Sequence, residues 1–234
     1  MTPTIFPRRP ALVSLVFDRA HYDDVVQGAI VRAKTSVWIA TANVKEMRIE
    51  APIGSVARAR GRFLSILDTF DDLTKRGVEI RMLHATRPSF PFRQELARHA
   101  SLARLPFEMR QCPRVHVKMI AIDGALLYLG SANFTGAGLG AKGEGRRNFE
   151  LGVLTDDDVL LDATQARFER IWSGKECGGC KLRGVCPRPL DGSARAPRVP
   201  TATMTKKKTA PKAAAPSRGA ARQGVRARQT PRTR

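Results

Sequence analysis

Two side chains able to act together chemically stand two residues apart in the segment His116-Val117-Lys118. An imidazole is a nucleophile or general base near neutral pH, and an ammonium is a compact cation. On an extended strand side chains alternate faces. His116 and Lys118 then point the same way, about 6.6 Å apart along the strand. Val115, Val117 and Met119 fall on the other face and read as core. Asp123-Gly124 is a hairpin-turn dipeptide, and it returns the chain as Ala125–Leu129. That return delivers Ser131 and Asn133 to the same end of the sheet, as hydrogen-bond donors. Glu150 follows in the stretch Asn148-Phe149-Glu150. It sits among apolar residues and is costly to bury without a partner.

Together these residues read His-x-Lys-x4-Asp-x6-Gly-Ser-x-Asn, with a downstream Asn-x-Glu. The pattern resembles the signature of the phospholipase D superfamily and matches its first part at every specified position. The likeness extends over roughly residues 15–175. It implies a two-step phosphodiesterase mechanism in which His116 attacks phosphorus and forms a phosphohistidine. A second histidine protonates the leaving oxygen and later activates water. Lys118 and Asn133 stabilise charge on the non-bridging oxygens, Ser131 assists, and Glu150 accepts a hydrogen bond from the other ring nitrogen of His116. No metal or other cofactor is implied for catalysis. Asp123 belongs to the signature, but Asp-Gly is a turn signal by itself, and the structural reading is favoured there. His21, His84 and His99 have no Lys two residues on. One chain therefore supplies half a site, and the resemblance implies a homodimer that completes it.

Three cysteines crowd together as Cys177-x2-Cys180-x5-Cys186, and the fourth, Cys112, lies four residues before His116. Such a crowd in a cytosolic chain points to metal or cluster binding more than to disulfides. The triplet resembles the carboxyl-terminal cysteines of iron–sulfur-bearing recombination and CRISPR-associated nucleases, which take a fourth ligand from far upstream. That likeness implies a [4Fe–4S] cluster or a structural zinc held by Cys112, Cys177, Cys180 and Cys186. Free thiols in a loose segment are the alternative.

The elements that must position these groups alternate along the chain. Helical spacing runs over His21–Lys34, Phe63–Lys75, Phe92–Leu105 and Val159–Trp172. Strands are expected over Ser36–Thr41, Val78–Leu83, Phe107–Arg110, Val115–Ile122, Ala125–Leu129 and Asn148–Thr155. Residues 44–60 read as a loop, and the glycine-rich run 136–145 as a flexible loop that lacks the pattern of a nucleotide cradle. The expected architecture is a layered α-β-α phospholipase D-like domain with a mixed central sheet over residues 1–175. A cysteine segment over 176–192 and a disordered basic tail over 193–234 follow it.

Hydrophobic residues make up 42% of the 234, enough to bury a sizeable core. The net charge of +20 points to a polyanionic partner. Twelve Lys or Arg and no acid lie between Ser193 and Arg234, leaving +8 on the rest. No stretch approaches the roughly 18–20 apolar residues that span a bilayer. The segment around Leu12–Phe17 reads as a first strand rather than a signal peptide, and the expected location is cytoplasmic. A DNA endonuclease is the leading reading. A phospholipid hydrolase using its basic tail on an anionic membrane, and a non-catalytic DNA-binding adaptor, are the alternatives.

Overall fold

The computed structural model describes residues 7–193, Leu105 excepted. The basic tail beyond Ser193 lies outside the described residues, as does the end of the helix expected to reach Leu105. Seven strands form the main sheet: β1 Ser14–Phe17, β2 Ser36–Thr41, β5 Glu79–His84, β6 Phe107–Gln111, β7 Met119–Ile122, β8 Leu126–Gly130 and β9 Leu151–Thr155. They build one mixed sheet in the order β1-β9-β8-β7-β2-β5-β6. The β2, β5 and β6 strands run parallel, and every other pairing is antiparallel.

Each face of the sheet carries its own apolar layer. On one side Val37, Ile39, Ile80, Met82, Ile120 and Ile122 pack under helix α2, Ile66–Lys75. On the other side Ala40, Leu83, Met119, Ala121 and Leu127 pack under helix α4, Asp158–Trp172. The α-β-α layering is therefore as the alternation of elements required. Aromatic rings fix α4 to its layer: Trp38 stacks on Phe168, and Phe168 on Trp172, at centroid distances of 5.2 and 5.5 Å. Two guanidiniums cover this stack, Arg81 above Trp38 and Arg110 above Trp172.

Helix α2 shows why its ends lie where they do. Ser65 caps it, and Asp68 reaches back to accept from the Ser65 amide at 2.7 Å. Gly77, at φ 89°, ends it, with the Gly77 amide on the Thr74 carbonyl and the Val78 amide on that of Leu73.

Several elements differ from their sequence expectation. The helix expected over His21–Lys34 is a π-helical segment, His21–Gln27, followed by a 3-10 turn, Ile30–Arg32. The loop expected over 44–60 contains a short strand, β3 Arg48–Glu50, and a four-residue helix, α1 Val56–Ala59. The β3 strand pairs with β4, Phe63–Ser65, so the helix expected from Phe63 starts three residues later. Helix α3 spans Phe90–Arg98, and a 3-10 turn over Ala100–Ala103 follows it. The strand expected from Val115 enters the ladder only at Met119. The run 136–145 is not a loose loop at its start. Leu139 is fully buried, and a Cβ on Gly138 would lie 2.5 Å from the Asn133 carbonyl oxygen. Among the described residues, no helix is long and apolar enough to cross a membrane.

Candidate active site

The parallel strands β2 and β5 end side by side at Thr41 and His84. The β7 strand runs antiparallel to β2 and pairs Met119 with Ala40. The residues just before Met119 therefore lie at the carboxyl ends of the parallel strands, where open α/β sheets commonly bind ligands. His116 and Lys118 occupy this extended lead-in. The Lys118 ammonium lies 3.2 Å from His116 Nδ1 and 3.3 Å from Nε2, and it donates to the His116 carbonyl oxygen at 3.0 Å. Among the described residues, the imidazole has no other hydrogen-bond partner. His116 is exposed, as is Val117, which the alternation had assigned to the core.

The turn at Asp123-Gly124 has positive φ at both residues, 55° and 62°, as a two-residue hairpin turn requires. The β8 strand then returns the chain to Gly130, whose amide donates to the Lys118 carbonyl at 3.2 Å. Glycine at 130 and at its cross-strand partner 152 has a steric cause. The buried Tyr128 side chain lies across both, and a Cβ would come within 2.2 Å of its hydroxyl oxygen at Gly130 and 2.3 Å of its Cε2 at Gly152.

Ser131 and Glu150 form a pair beyond that crossing. The Ser131 hydroxyl donates to Glu150 Oε2 and accepts from the Leu151 amide at 3.1 Å. Asn148 Nδ2 donates to Glu150 Oε1 at 2.9 Å. The Glu150 amide is itself held by Asp18 Oδ1 at 2.9 Å. Both carboxylate oxygens are thus engaged, and among the described residues no hydrogen bond joins Glu150 to His116. Asn133 is oriented from the other side. Its Oδ1 accepts from the Asn43 amide at 3.1 Å and from the Thr41 hydroxyl at 3.3 Å. Because the oxygen is committed to those donors, the Nδ2 group is turned outward as a donor.

Asp123 is placed elsewhere. Its carboxylate accepts from the amides of Lys34, Thr35 and Ser36 at 2.7–3.0 Å, and from the Thr35 hydroxyl at 3.1 Å. Burial by itself raises this carboxyl, but the amides of Ser36, Thr35 and Lys34 outweigh it and hold it below the usual carboxylate range. Five residues of extended chain put it about 16 Å from Lys118. The structure therefore gathers His116, Lys118, Ser131, Asn133 and Glu150 at one end of the sheet and leaves Asp123 at the other.

Three orienting residues, Asp18, Thr41 and Asn43, were not picked out from sequence. Asp18, at φ 40°, is the one with a local signal, since an Asp ending a strand favours such a turn. Behind the site His21 is fully buried, with Nδ1 on the Asp18 carbonyl at 3.1 Å and its ring edge-on to Tyr128. Burial lowers its pKa, so His21 is held neutral. His84 is also buried and lowered by desolvation, with Nδ1 on the Thr86 carbonyl.

The four cysteines stand apart from this constellation. Cys112 follows β6, its amide on the His84 carbonyl at 2.9 Å, and the Val115 amide in turn donates to the Cys112 carbonyl. Cys112, Cys177, Cys180 and Cys186 all line one cavity of about 70 Å³. All four are free thiols.

A family model described as "Cardiolipin synthase, PLD-like domain" matches residues 26–172, well over half of the chain. Among solved structures, the fold is similar to NucT from Helicobacter pylori, at 15% identity and a TM-score of 0.46 over 69% of this chain and 95% of that one. It is similar also to Nuc, a phospholipase D family member from Salmonella typhimurium, at 21% identity and a TM-score of 0.46 over 70% and 95%. A third is phosphatidylserine synthase from Haemophilus influenzae, at 13% identity and 0.42 over 68% of this chain and 37% of that one. No curated protein sequence matches. The family match covers the strands and loops that hold His116, Lys118, Ser131, Asn133 and Glu150, and the chain belongs to the phospholipase D superfamily.

Proposed function

We propose that the protein is a metal-independent phosphodiesterase that cleaves DNA through a phosphohistidine on His116. The observation that carries the reading is the Lys118 ammonium lying 3.2 and 3.3 Å from the two ring nitrogens, beside an Asn133 amide whose oxygen is already committed. An imidazole nitrogen forms the bond to phosphorus while the P–O bond to the leaving group breaks. Lys118 and Asn133 Nδ2 face the non-bridging oxygens, where charge accumulates in the transition state. Water then cleaves the P–N bond and regenerates His116. The hydroxyl and carboxylate of Ser131 and Glu150 form a fixed polar wall at the same edge.

The leaving oxygen needs a proton, and a second copy of the chain is the proposed source, through its own His116. Two features support this. The constellation is open, with His116 and Ser131 exposed, so one chain does not enclose a substrate. Apolar side chains also border it: Val117 lies between His116 and Lys118, and Phe149 and Leu151 flank Glu150. Phe149 is 97% exposed. Phe17 on the edge strand β1 pairs with Leu151 and is exposed as well. A two-fold contact at this end of the sheet is the proposed arrangement; it would cover these side chains and bring a second His116 to the site.

DNA is the proposed substrate because the chain carries +20, with twelve cations after Gly192 and no acid among them. The description of the matching family names a lipid enzyme, so a lipid phosphodiester is the competing substrate. The test offers plasmid DNA, single-stranded DNA, RNA, and phosphatidylcholine or cardiolipin vesicles to the protein in EDTA. The expected result is DNA cleavage that survives EDTA and falls by more than roughly 10³-fold in His116→Ala. Cleavage confined to lipid overturns the substrate. An unchanged rate in His116→Ala, or strict need for a divalent ion, overturns the mechanism.

A further inference from the structure

Every cysteine of the chain faces the same cavity, although Cys112 and the nearest of the other three are separated by the whole catalytic half of the domain. The cavity is lined also by Pro113, Val115, Ile171, Leu182 and Leu190, so its wall is apolar apart from the sulfurs and a rim of Arg114, Arg167, Arg183 and Glu176. Glu176 is already engaged by Arg167 at 2.8 Å and by Arg170 at 3.1 Å. Arg183 is paired with Asp191 at 2.8 Å, so among the described residues Arg114 is the rim cation without an ion pair, and it suits a group that carries net negative charge.

The segment that supplies three of the sulfurs is held mainly by side chains: Arg167 and Arg170 reach Glu176, Arg183 reaches Asp191 and Ser193, and Leu190 packs on the α4 layer. Residues 173–193 contain no helix or strand. They form a coil of successive turns, with the Cys180 amide on the Cys177 carbonyl, the Arg183 amide on that of Cys180, and the Cys186 amide on that of Leu182. Leu182 and Val185 are exposed, and Cys186 and Pro189 are buried. A stretch of this length without regular structure or a core of its own needs a staple. Turns that aim three thiols inward at a fourth, from the main sheet, are what a ligated centre requires.

The spacing of the sulfurs bears on which centre fits. Tetrahedral zinc with Zn–S bonds of about 2.3 Å sets its four sulfurs about 3.8 Å apart. Among the described residues, no three of these sulfurs lie within 4.8 Å of one another. A [4Fe–4S] cube spreads its ligands more widely, because each thiolate binds a different iron at a different corner. The cavity of about 70 Å³ is also several times the roughly 10–15 Å³ that a single water needs. The geometry points to an iron–sulfur cluster ligated by Cys112, Cys177, Cys180 and Cys186, which binds the end of the domain to the chain entering the active site.

This assignment is independent of the phosphodiesterase reading, and its test reads metal rather than turnover. The full-length protein, purified without oxygen, is analysed for iron, acid-labile sulfide and zinc. If purification strips the site, it is reconstituted with ferrous iron and sulfide under reductant. The expected content is about four irons and four sulfides per chain, with a broad visible absorption that bleaches on reduction. Cys112→Ser and Cys180→Ser should each lose more than half of that iron. Iron and sulfide absent after reconstitution overturn the proposal, as does one zinc per chain in their place. Should a variant fail to fold, the wild-type stoichiometry still decides whether a cluster is present. Full iron content in a folded Cys112→Ser protein removes Cys112 from the ligand set and overturns the four-ligand site.

Discussion

Asp123 offers a way to separate the signature's chemistry from its architecture. The side chain accepts from three consecutive amides, those of Lys34, Thr35 and Ser36, and from the Thr35 hydroxyl. Asp123→Asn keeps the shape and tolerates φ 55°, but it replaces one acceptor oxygen with a donor and removes the charge. Hydrogen bonds to charged groups contribute about 1.5–3 kcal/mol and neutral ones about 1. The site is partly exposed, so water offsets some of the loss. The expected cost is about 1.5 kcal/mol for Asp123→Asn. Asp123→Ala loses every bond and adds about 1–2 kcal/mol for a left-handed backbone, and so should cost about 3 kcal/mol.

For a domain of this size each kcal/mol shifts Tm by about 2–4 °C, giving about 3–6 °C and 6–12 °C for the two variants. The pH dependence has a definite sign. The carboxyl is depressed in the folded chain, so its stabilisation is full above the unfolded value of 3.8 and is lost as pH falls through the folded one. The difference in Tm between wild type and Asp123→Asn should therefore be largest near neutrality and shrink below about pH 4. Thermal melts across pH, with cleavage rates taken well below Tm, provide the check. Cleavage within about twofold of wild type is expected, since roughly 16 Å separates Asp123 from Lys118. A large fall in rate for protein that is still folded, with no change in Tm, would refute this division of roles.

Mixing His116→Ala chains with wild type should lower activity more than dilution does, because a mixed pair has one imidazole; sedimentation should report a species of twice 25.7 kDa. A fully active monomer contradicts the two-chain site. Deleting residues 193–234 should weaken DNA binding and flatten its salt dependence, by about 0.9 in log–log slope for each phosphate no longer neutralised, and an unchanged slope would show that the tail does not engage DNA. Gly152→Ala places a Cβ 2.3 Å from Tyr128 Cε2 and should cost about 3 kcal/mol, the upper end of overpacking. Combined with Tyr128→Leu its cost should be less than additive by roughly 1 kcal/mol or more in a denaturation cycle, whereas additivity would show that the ring is not what excludes a side chain there.

Much of this arrangement was legible before the coordinates, for identifiable reasons. The β2 and β5 strands and helix α4 are long and strongly patterned, and the Asp123-Gly124 turn carries its own backbone signature. The spacing from His116 to Asn133 encodes one hairpin, so it survives as a local pattern. The β3 and β4 strands, three residues each, are too short for any period to declare itself. The π-helical His21–Gln27 has the apolar spacing of an ordinary helix, and its different hydrogen bonding is set by packing around the buried His21 and Tyr22. The contacts of Asn133 with Thr41 and Asn43, and of Glu150 with Asp18, join segments some 90 and 132 residues apart in sequence. Nothing local marks such partners. The convergence of Cys112 on the distant triplet was readable as a count of thiols, but its location needed the fold.

The late start of β7 also changes what must hold His116 in place. A histidine inside the ladder is fixed by its own pairing, whereas His116 and Lys118 lie in a lead-in that is fixed from its two ends. Downstream, Met119 is paired on both sides, with Ala40 and with Leu129, and Asp123 ties the far end of the same strand to Lys34–Ser36. Upstream, Val115 is buried, and its amide donates to the Cys112 carbonyl. Only the three residues 116–118 lie between these anchors, and the Gly130 amide holds the last of them by its carbonyl. The upstream anchor is paired on one side only: Cys112 follows the last β6 pair, bonds the His84 carbonyl through its amide, and packs against the α4 layer above the cavity. A ligated sulfur at position 112 would make that anchor as firm as the downstream one. The proposed cysteine centre and the proposed nucleophile His116 are in this way parts of one mechanical problem, that of holding a side chain steady on a strand that has not yet begun to pair.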